Sequence, residues 1–135
     1  MFHDKFYIYI GDNKEYCIHY IATRRFEKDE EELFMSTISQ DKDYNKESYF
    51  NNISEDDILI EYGPKASFIT PWCSQIKEIL KRVGITHIDR IEKTTRLLNS
   101  DFPKLDLLTE TLFCKEDYKK QGLYHIDKNI DFSEE

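Results

Sequence analysis

Arg90, Glu92, Thr94 and Arg96 recur at every second position of one short stretch, which on an extended strand would set two guanidinium groups and a carboxylate on one face. Such a face can be solvated, can pair its own charges, or can recognise a partner of complementary charge. Exposed ion pairs add little stability, so two arginines around a glutamate point to partner recognition. A second candidate is Glu61-Tyr62-Gly63-Pro64-Lys65, a strand running into a turn, where Lys65 could face a partner domain. Lysine there offers a point charge and lacks the planar fork with which arginine grips a carboxylate or phosphate. The third is Thr70-Pro71-Trp72-Cys73-Ser74-Gln75, a helix start whose N–H groups could meet an anion, with the Ser74 hydroxyl and the Gln75 amide free to help.

Arrangements that would make or break bonds are missing. Cys17 and His19 fall on one strand face, a pairing that chance supplies easily. His3, His19, His87 and His125 show no metal-ligand spacing, and Cys17, Cys73 and Cys114 are far apart with no C-x-x-C pair. Gly11, Gly63, Gly84 and Gly122 form no phosphate-cradling loop. The chain alone is therefore expected to catalyse nothing and to bind no metal, with its cysteines reduced.

The elements that must position these residues come from one domain's worth of chain. Of 135 residues, 39% are hydrophobic and 14% aromatic, enough bulk for a core without disulfide staples. The net charge of −8, from 27 acidic and 19 basic residues, disfavours a nucleic-acid role because counterion release gains nothing from an acidic surface. No apolar run nears the ~20 residues of a membrane span, and the first residues carry no secretory pattern, so no membrane role and a cytoplasmic location are expected.

Phe6–Ile10 and Tyr16–Ile21 read as a hairpin around Gly11-Asp12-Asn13-Lys14. Acidic residues before Leu33, Phe34 and Ile38 predict a helix from about Lys28 to Ile38. A polar connection over 39–57, anchored by Tyr49 and Phe50, leads to a strand over 58–62 that Gly63-Pro64 ends, glycine allowing an unusual dihedral. A short strand over Ala66–Ile69 follows. Thr70 as cap and Pro71 at the first turn open a helix that Gly84 stops, with Trp72, Ile76, Ile79, Leu80 and Val83 on one face. His87 to Leu98 alternates as a strand, and Pro103 opens a last helix carrying Leu105, Leu108, Leu112 and Phe113. The order reads as two similar halves, an α+β class with two ferredoxin-like subdomains packed together.

The stretch from Ile58 to Leu98 resembles the N-terminal domain of the phosphoribosylformylglycinamidine synthase family, which carries a similar EVGPR-x-x-F-x-T-x-WS-x-N run and an R-x-ER-x-R-R-like strand. The matching residues are Glu61, Gly63, Pro64, Phe68, Thr70, Trp72, Ser74, Arg90, Glu92 and Arg96. Asp106-Leu107-Leu108-Thr109-Glu110 is similar to the family's D-R-M-T-E, while Lys65 and Gln75 stand where the family has arginine and asparagine. The resemblance implies a fold like a fused pair of PurS subunits over residues 1–126, followed by the start of a linker or tail over 127–135. It also implies a role in purine biosynthesis, in the ATP- and glutamine-dependent amidation of formylglycinamide ribonucleotide. ATP and magnesium would belong to a synthetase part and ammonia release to a glutaminase part, with no cofactor in this chain. Its contribution would be assembly of those two partners and of the ammonia route, with Lys65, Gln75, Arg90, Glu92 and Arg96 as docking candidates. A different class of answer is a stand-alone ferredoxin-like regulatory module that binds a small ligand.

Overall fold

A computed structural model describes residues 1–65, 69–100, 103–106 and 108–114. The chain runs β1 (Phe2–Gly11), β2 (Lys14–Ala22), α1 (Glu30–Ser39), β3 (Tyr44–Asn45), β4 (Leu59–Pro64), α2 (Pro71–Arg82), β5 (Ile88–Leu98) and β6 (Glu110–Cys114). All six strands join one antiparallel sheet in the order β3-β1-β2-β5-β4-β6. The two halves, β1-β2-α1-β3 and β4-α2-β5-β6, meet edge to edge where β2 pairs with β5, from Lys14↔Leu97 to Ala22↔Ile88. The α+β, ferredoxin-like class read from the sequence is the one the chain adopts. None of the described helices is long and apolar enough to cross a membrane.

The hairpin between β1 and β2 turns through Gly11, Asp12 and Asn13, all at positive φ (99°, 54° and 60°), a conformation that glycine, asparagine and aspartate tolerate best. Thr70 caps α2 as expected, its hydroxyl accepting the Cys73 N–H at 3.3 Å, with Pro71 in the first turn. Gly84 follows the helix at φ 89°, and Lys81 and Arg82 complement the carboxyl end of the dipole.

Both helices cover the same face of the sheet. Phe6, Ile8, Ile18, Tyr20 and Ile91 supply the sheet side of the core, Phe34 and Ile38 the α1 side, and Cys73, Ile76 and Leu80 the α2 side. Phe34 sits at its centre, its ring edge-on to Tyr20 at 4.7 Å and to Phe6 at 5.8 Å.

Two expectations change. The second half of the segment read as a last helix lies in β6, in which Leu112 pairs with Tyr62, Thr111 with Gly63 and Glu110 with Pro64. Threonine and aromatic residues suit a strand, and β4 offers a free edge, so pairing overrides an apolar spacing that also fits a helix. Gly63-Pro64 ends β4 as expected, Pro64 being its last residue, but Gly63 has no positive φ. Its need is proximity: a Cβ there would stand 2.7 Å from the Thr94 Cγ2. The short strand expected over Ala66–Ile69 falls mostly on residues 66–68, outside the described residues, as do Phe68 and the expected linker over 127–135. The 39–57 connection contributes the two-residue β3, which pairs with Tyr7 and Ile8 of β1. Phe50 is buried and Tyr49 packs on Tyr9 with ring centroids 5.3 Å apart, as the anchoring role of both residues requires.

Candidate functional site

Strand register decides which polar groups meet. Directly paired residues point to the same side, so Glu15↔Arg96, Cys17↔Thr94, His19↔Glu92 and Glu61↔Arg96 all project from the face opposite the helices. Arg90, Glu92, Thr94 and Arg96 are therefore on one face, as their alternation predicts. They are not on the surface: Arg90 is 3% exposed, Glu92 and Thr94 1%, and Arg96 fully buried. Of the readings open to such a face, self-pairing is the one observed, because these charges are turned onto groups of the same chain.

Arg96 is the centre of that arrangement. Its Nε lies 3.1 Å from a Glu15 carboxylate oxygen and 3.6 Å from Glu61 Oε1, and its Nη1 donates to the Tyr7 hydroxyl at 3.3 Å. Glu15 also accepts from the Ser48 hydroxyl at 2.6 Å and from the Tyr49 N–H at 2.8 Å, which ties the 39–57 connection to the sheet. Burial pushes the Glu15 carboxyl above its ordinary value despite Arg96 and these hydrogen bonds. Burial acts on Glu61 in the same sense, yet His19, Arg96 and Thr94 outweigh it and leave the Glu61 carboxyl below its ordinary value. Thr94 donates to Glu61 Oε2 at 2.7 Å. Burial alone would lower the His19 pKa, but the Cys17 sulfur and the Glu61 carboxylate lift it to about 10.

Glu92 has a different task. β4 pairs with β5 only from Thr95 to Leu98, so the edge of β5 near Glu92 is left to the chain that enters α2. One Glu92 oxygen accepts the Thr70 hydroxyl at 2.6 Å, and the other accepts the Thr70 N–H at 3.1 Å and lies 3.5 Å from Arg90 Nε. A carboxylate at a helix start also favours the positive end of the dipole. The group that meets this helix start is the chain's own Glu92, whose carboxyl burial pushes upward against those hydrogen bonds.

Beside Glu92 opens a cleft of about 360 Å³, lined by Pro64, Thr70, Trp72, Glu92, Lys93, Asp106, Thr109 and Glu110. Lys93 stands over the Trp72 ring at 5.3 Å and the Tyr16 ring at 4.5 Å, a cation held between two aromatic faces. Asp106 and Glu110 are locked by short-range bonds: the Asp106 N–H donates to Glu110 Oε1 at 2.9 Å, and the Leu108 N–H to Asp106 Oδ1 at 3.1 Å. The Lys65 N–H donates to the Thr109 carbonyl at 2.8 Å, which sets Lys65 next to the cleft. Lys65 is half-buried and Gln75 is exposed on the first turns of α2. A larger hollow of about 510 Å³ lies by Met1, Phe2, Arg24 and Phe26, away from every signature residue.

The cleft brings together what the sequence keeps apart. Pro64 comes from β4, Thr70 and Trp72 from the start of α2, Glu92 from β5, and Asp106, Thr109 and Glu110 from the approach to β6. Lys93, Asp106 and Glu110 were not singled out as site residues; the signal for the last two was the short Asp106–Glu110 motif. Glu15, Cys17 and His19 recur at every second position of β2, a polar alternation visible in the sequence whose partners on β4 and β5 were not.

The sequence model of the formylglycinamide ribonucleotide amidotransferase N-terminal family matches residues 15–112. A phosphoribosylformylglycinamidine synthase of Dictyostelium discoideum is 38% identical over 52 residues, which are 38% of this chain and 4% of that protein. The matched segment is thus a small part of that relative's length.

Proposed function

The chain belongs to the formylglycinamide ribonucleotide amidotransferase N-terminal family, and on that premise we propose that it is the assembly domain of a phosphoribosylformylglycinamidine synthase in purine biosynthesis. In that role it holds synthetase and glutaminase parts in register and helps shape the route by which ammonia passes between them. Amidation of formylglycinamide ribonucleotide, with ATP and magnesium, takes place in the synthetase part. A scaffold of this kind acts through position, since a misplacement of ~1 Å can cost about a hundredfold in rate.

The observation that carries the reading is the convergence of four separated family-like segments on one cleft. Its acidic lining, its Trp72 wall and the adjacent Lys65 and exposed Gln75 give a partner both charge and an apolar anchor. Arg90, Glu92 and Arg96 serve this surface from beneath: Glu92 fixes the start of α2 through Thr70, and Arg96 fixes β4 through Glu61. The test is binding of the chain to a synthetase part that lacks this domain. Lys65→Glu combined with Gln75→Ala is expected to weaken association at least tenfold while leaving the melting temperature unchanged. Equal affinity of the variant and the parent chain would sink this assignment of the surface.

A further inference from the structure

We propose that Cys17, His19 and Glu61 form a site for one thiophilic divalent cation of the zinc class. The three residues come from two strands, β2 and β4, that β5 separates in the sheet. Among the described residues they are the one set of cysteine, histidine and carboxylate groups whose ligand atoms all lie within 4.8 Å of one another, and all three are buried. Sulfur, imidazole nitrogen and carboxylate oxygen are the donor types zinc takes, and they leave a fourth position open.

The spacing of the donor atoms fits an ion. His19 Nε2 is 3.5 Å from Glu61 Oε2, beyond the ordinary span of a hydrogen bond between nitrogen and oxygen. A tetrahedral ion with ligands at about 2.0–2.3 Å holds its donor atoms roughly 3.3–3.7 Å apart. The pair is therefore already spaced as two ligands of one ion, and the Cys17 sulfur lies within 4.8 Å of both. Thr94, on the strand between them, touches both groups, its hydroxyl donating to Glu61 Oε2 at 2.7 Å and standing 3.3 Å from His19 Nε2. Arg96 faces the opposite carboxylate oxygen, Oε1, and is also matched by Glu15, so its charge is compensated outside the ligand triangle. Loading exchanges the proton on the Cys17 sulfur and any proton on His19 Nε2 for the cation, because thiolate and neutral imidazole are the ligating forms.

Burial of all three ligands means that the ion enters during folding or a transient opening, so the full chain is refolded with cobalt(II), a spectroscopic stand-in for zinc, and desalted. The expected result is one equivalent of retained cobalt with a thiolate-to-metal charge-transfer band. Cys17→Ser is expected to lose the band, and a Cys73→Ser/Cys114→Ser double variant to keep it. Zinc is expected to raise the melting temperature of the parent chain and not that of His19→Gln. No retained cobalt in the parent chain overturns the proposal, as does a band that survives in Cys17→Ser. So does a zinc-induced shift that is the same in His19→Gln.

Discussion

The two faces of the sheet solve the same burial problem with opposite chemistry. On the helix-covered face, Phe6, Ile18, Phe34, Leu80 and Ile91 are buried by apolar contact alone. On the other face Glu15, Glu61, Glu92 and Arg96 are just as buried and must be satisfied by one another and by Tyr7, Ser48, Thr70 and Thr94. Apolar packing of the same volume would serve stability as well or better, since desolvating ions consumes most of what their attraction returns. The polar face is thus poorly explained by stability alone, and its ties run to the start of α2 and to β4, the elements that wall the cleft.

The largest expected difference between the faces is in what can be rescued. Phe34→Ala on the apolar face and Arg96→Ala on the polar face should each cost about 3–5 kcal/mol in urea unfolding. Adding Glu15→Gln and Glu61→Gln to Arg96→Ala should restore much of the loss, because the unpaired buried charges are then gone. No charge change should rescue Phe34→Ala. If the triple variant is as unstable as Arg96→Ala, the polar face is held by shape and not by charge pairing.

A smaller effect isolates the contact between β4 and β5. Gly63→Ala sets a Cβ against the Thr94 Cγ2 and should cost about 1–3 kcal/mol. Thr94→Ser removes that methyl and keeps the hydroxyl bonded to Glu61, so the double variant should recover stability that Gly63→Ala alone loses. Additive losses in a double-mutant cycle would show that the Thr94 methyl is not what selects glycine, leaving the backbone contacts at 3.1 Å and 3.2 Å.

The sign of the pH dependence also separates the faces. His19, on the polar face, is lifted from 6.5 to about 10, so its contribution is complete below 6.5 and is lost as pH rises toward 10. His87 packs edge-on against Phe26 at 4.9 Å. Burial first and the Arg24 charge second hold its pKa below 6.5, against the opposing pull of Glu30 and Glu27. Its contribution is present above 6.5 and is lost as pH falls through the lowered value. Melting temperatures from about pH 5 to about pH 10 should show the alkaline fall disappear in His19→Gln and the acid fall shrink in His87→Phe. A parent chain with a flat profile on both sides would contradict both assignments.

Much of this was legible in the residues. The hairpin, the capped α2 with its proline and its glycine stop, and the alternation of β5 follow from local rules that act over a few neighbours. The fate of Arg90, Glu92 and Arg96 does not, because alternation fixes that they share a face and leaves open whether the face is wet. Burial there depends on Glu15, Glu61, Tyr7 and Ser48, contributed by β2, β4, β1 and the 39–57 connection. β6 misled for a related reason: Leu112 and Phe113 fit either period, and only the open edge of β4 decides between them. The cleft was legible in part. Its Thr70 and Trp72 were singled out, whereas Lys93 reads as one more exposed lysine until Tyr16 and Trp72 are seen around it.

The central claim, that this chain serves as the assembly domain of an amidotransferase, is tested most directly by restoring activity in trans. A phosphoribosylformylglycinamidine synthase deprived of its N-terminal domain is mixed with the chain, and glutamine-dependent amidation of formylglycinamide ribonucleotide is followed. The account predicts a complex and recovered amidation, with no turnover by the chain alone. No complex and no recovery, with the chain folded, would contradict it.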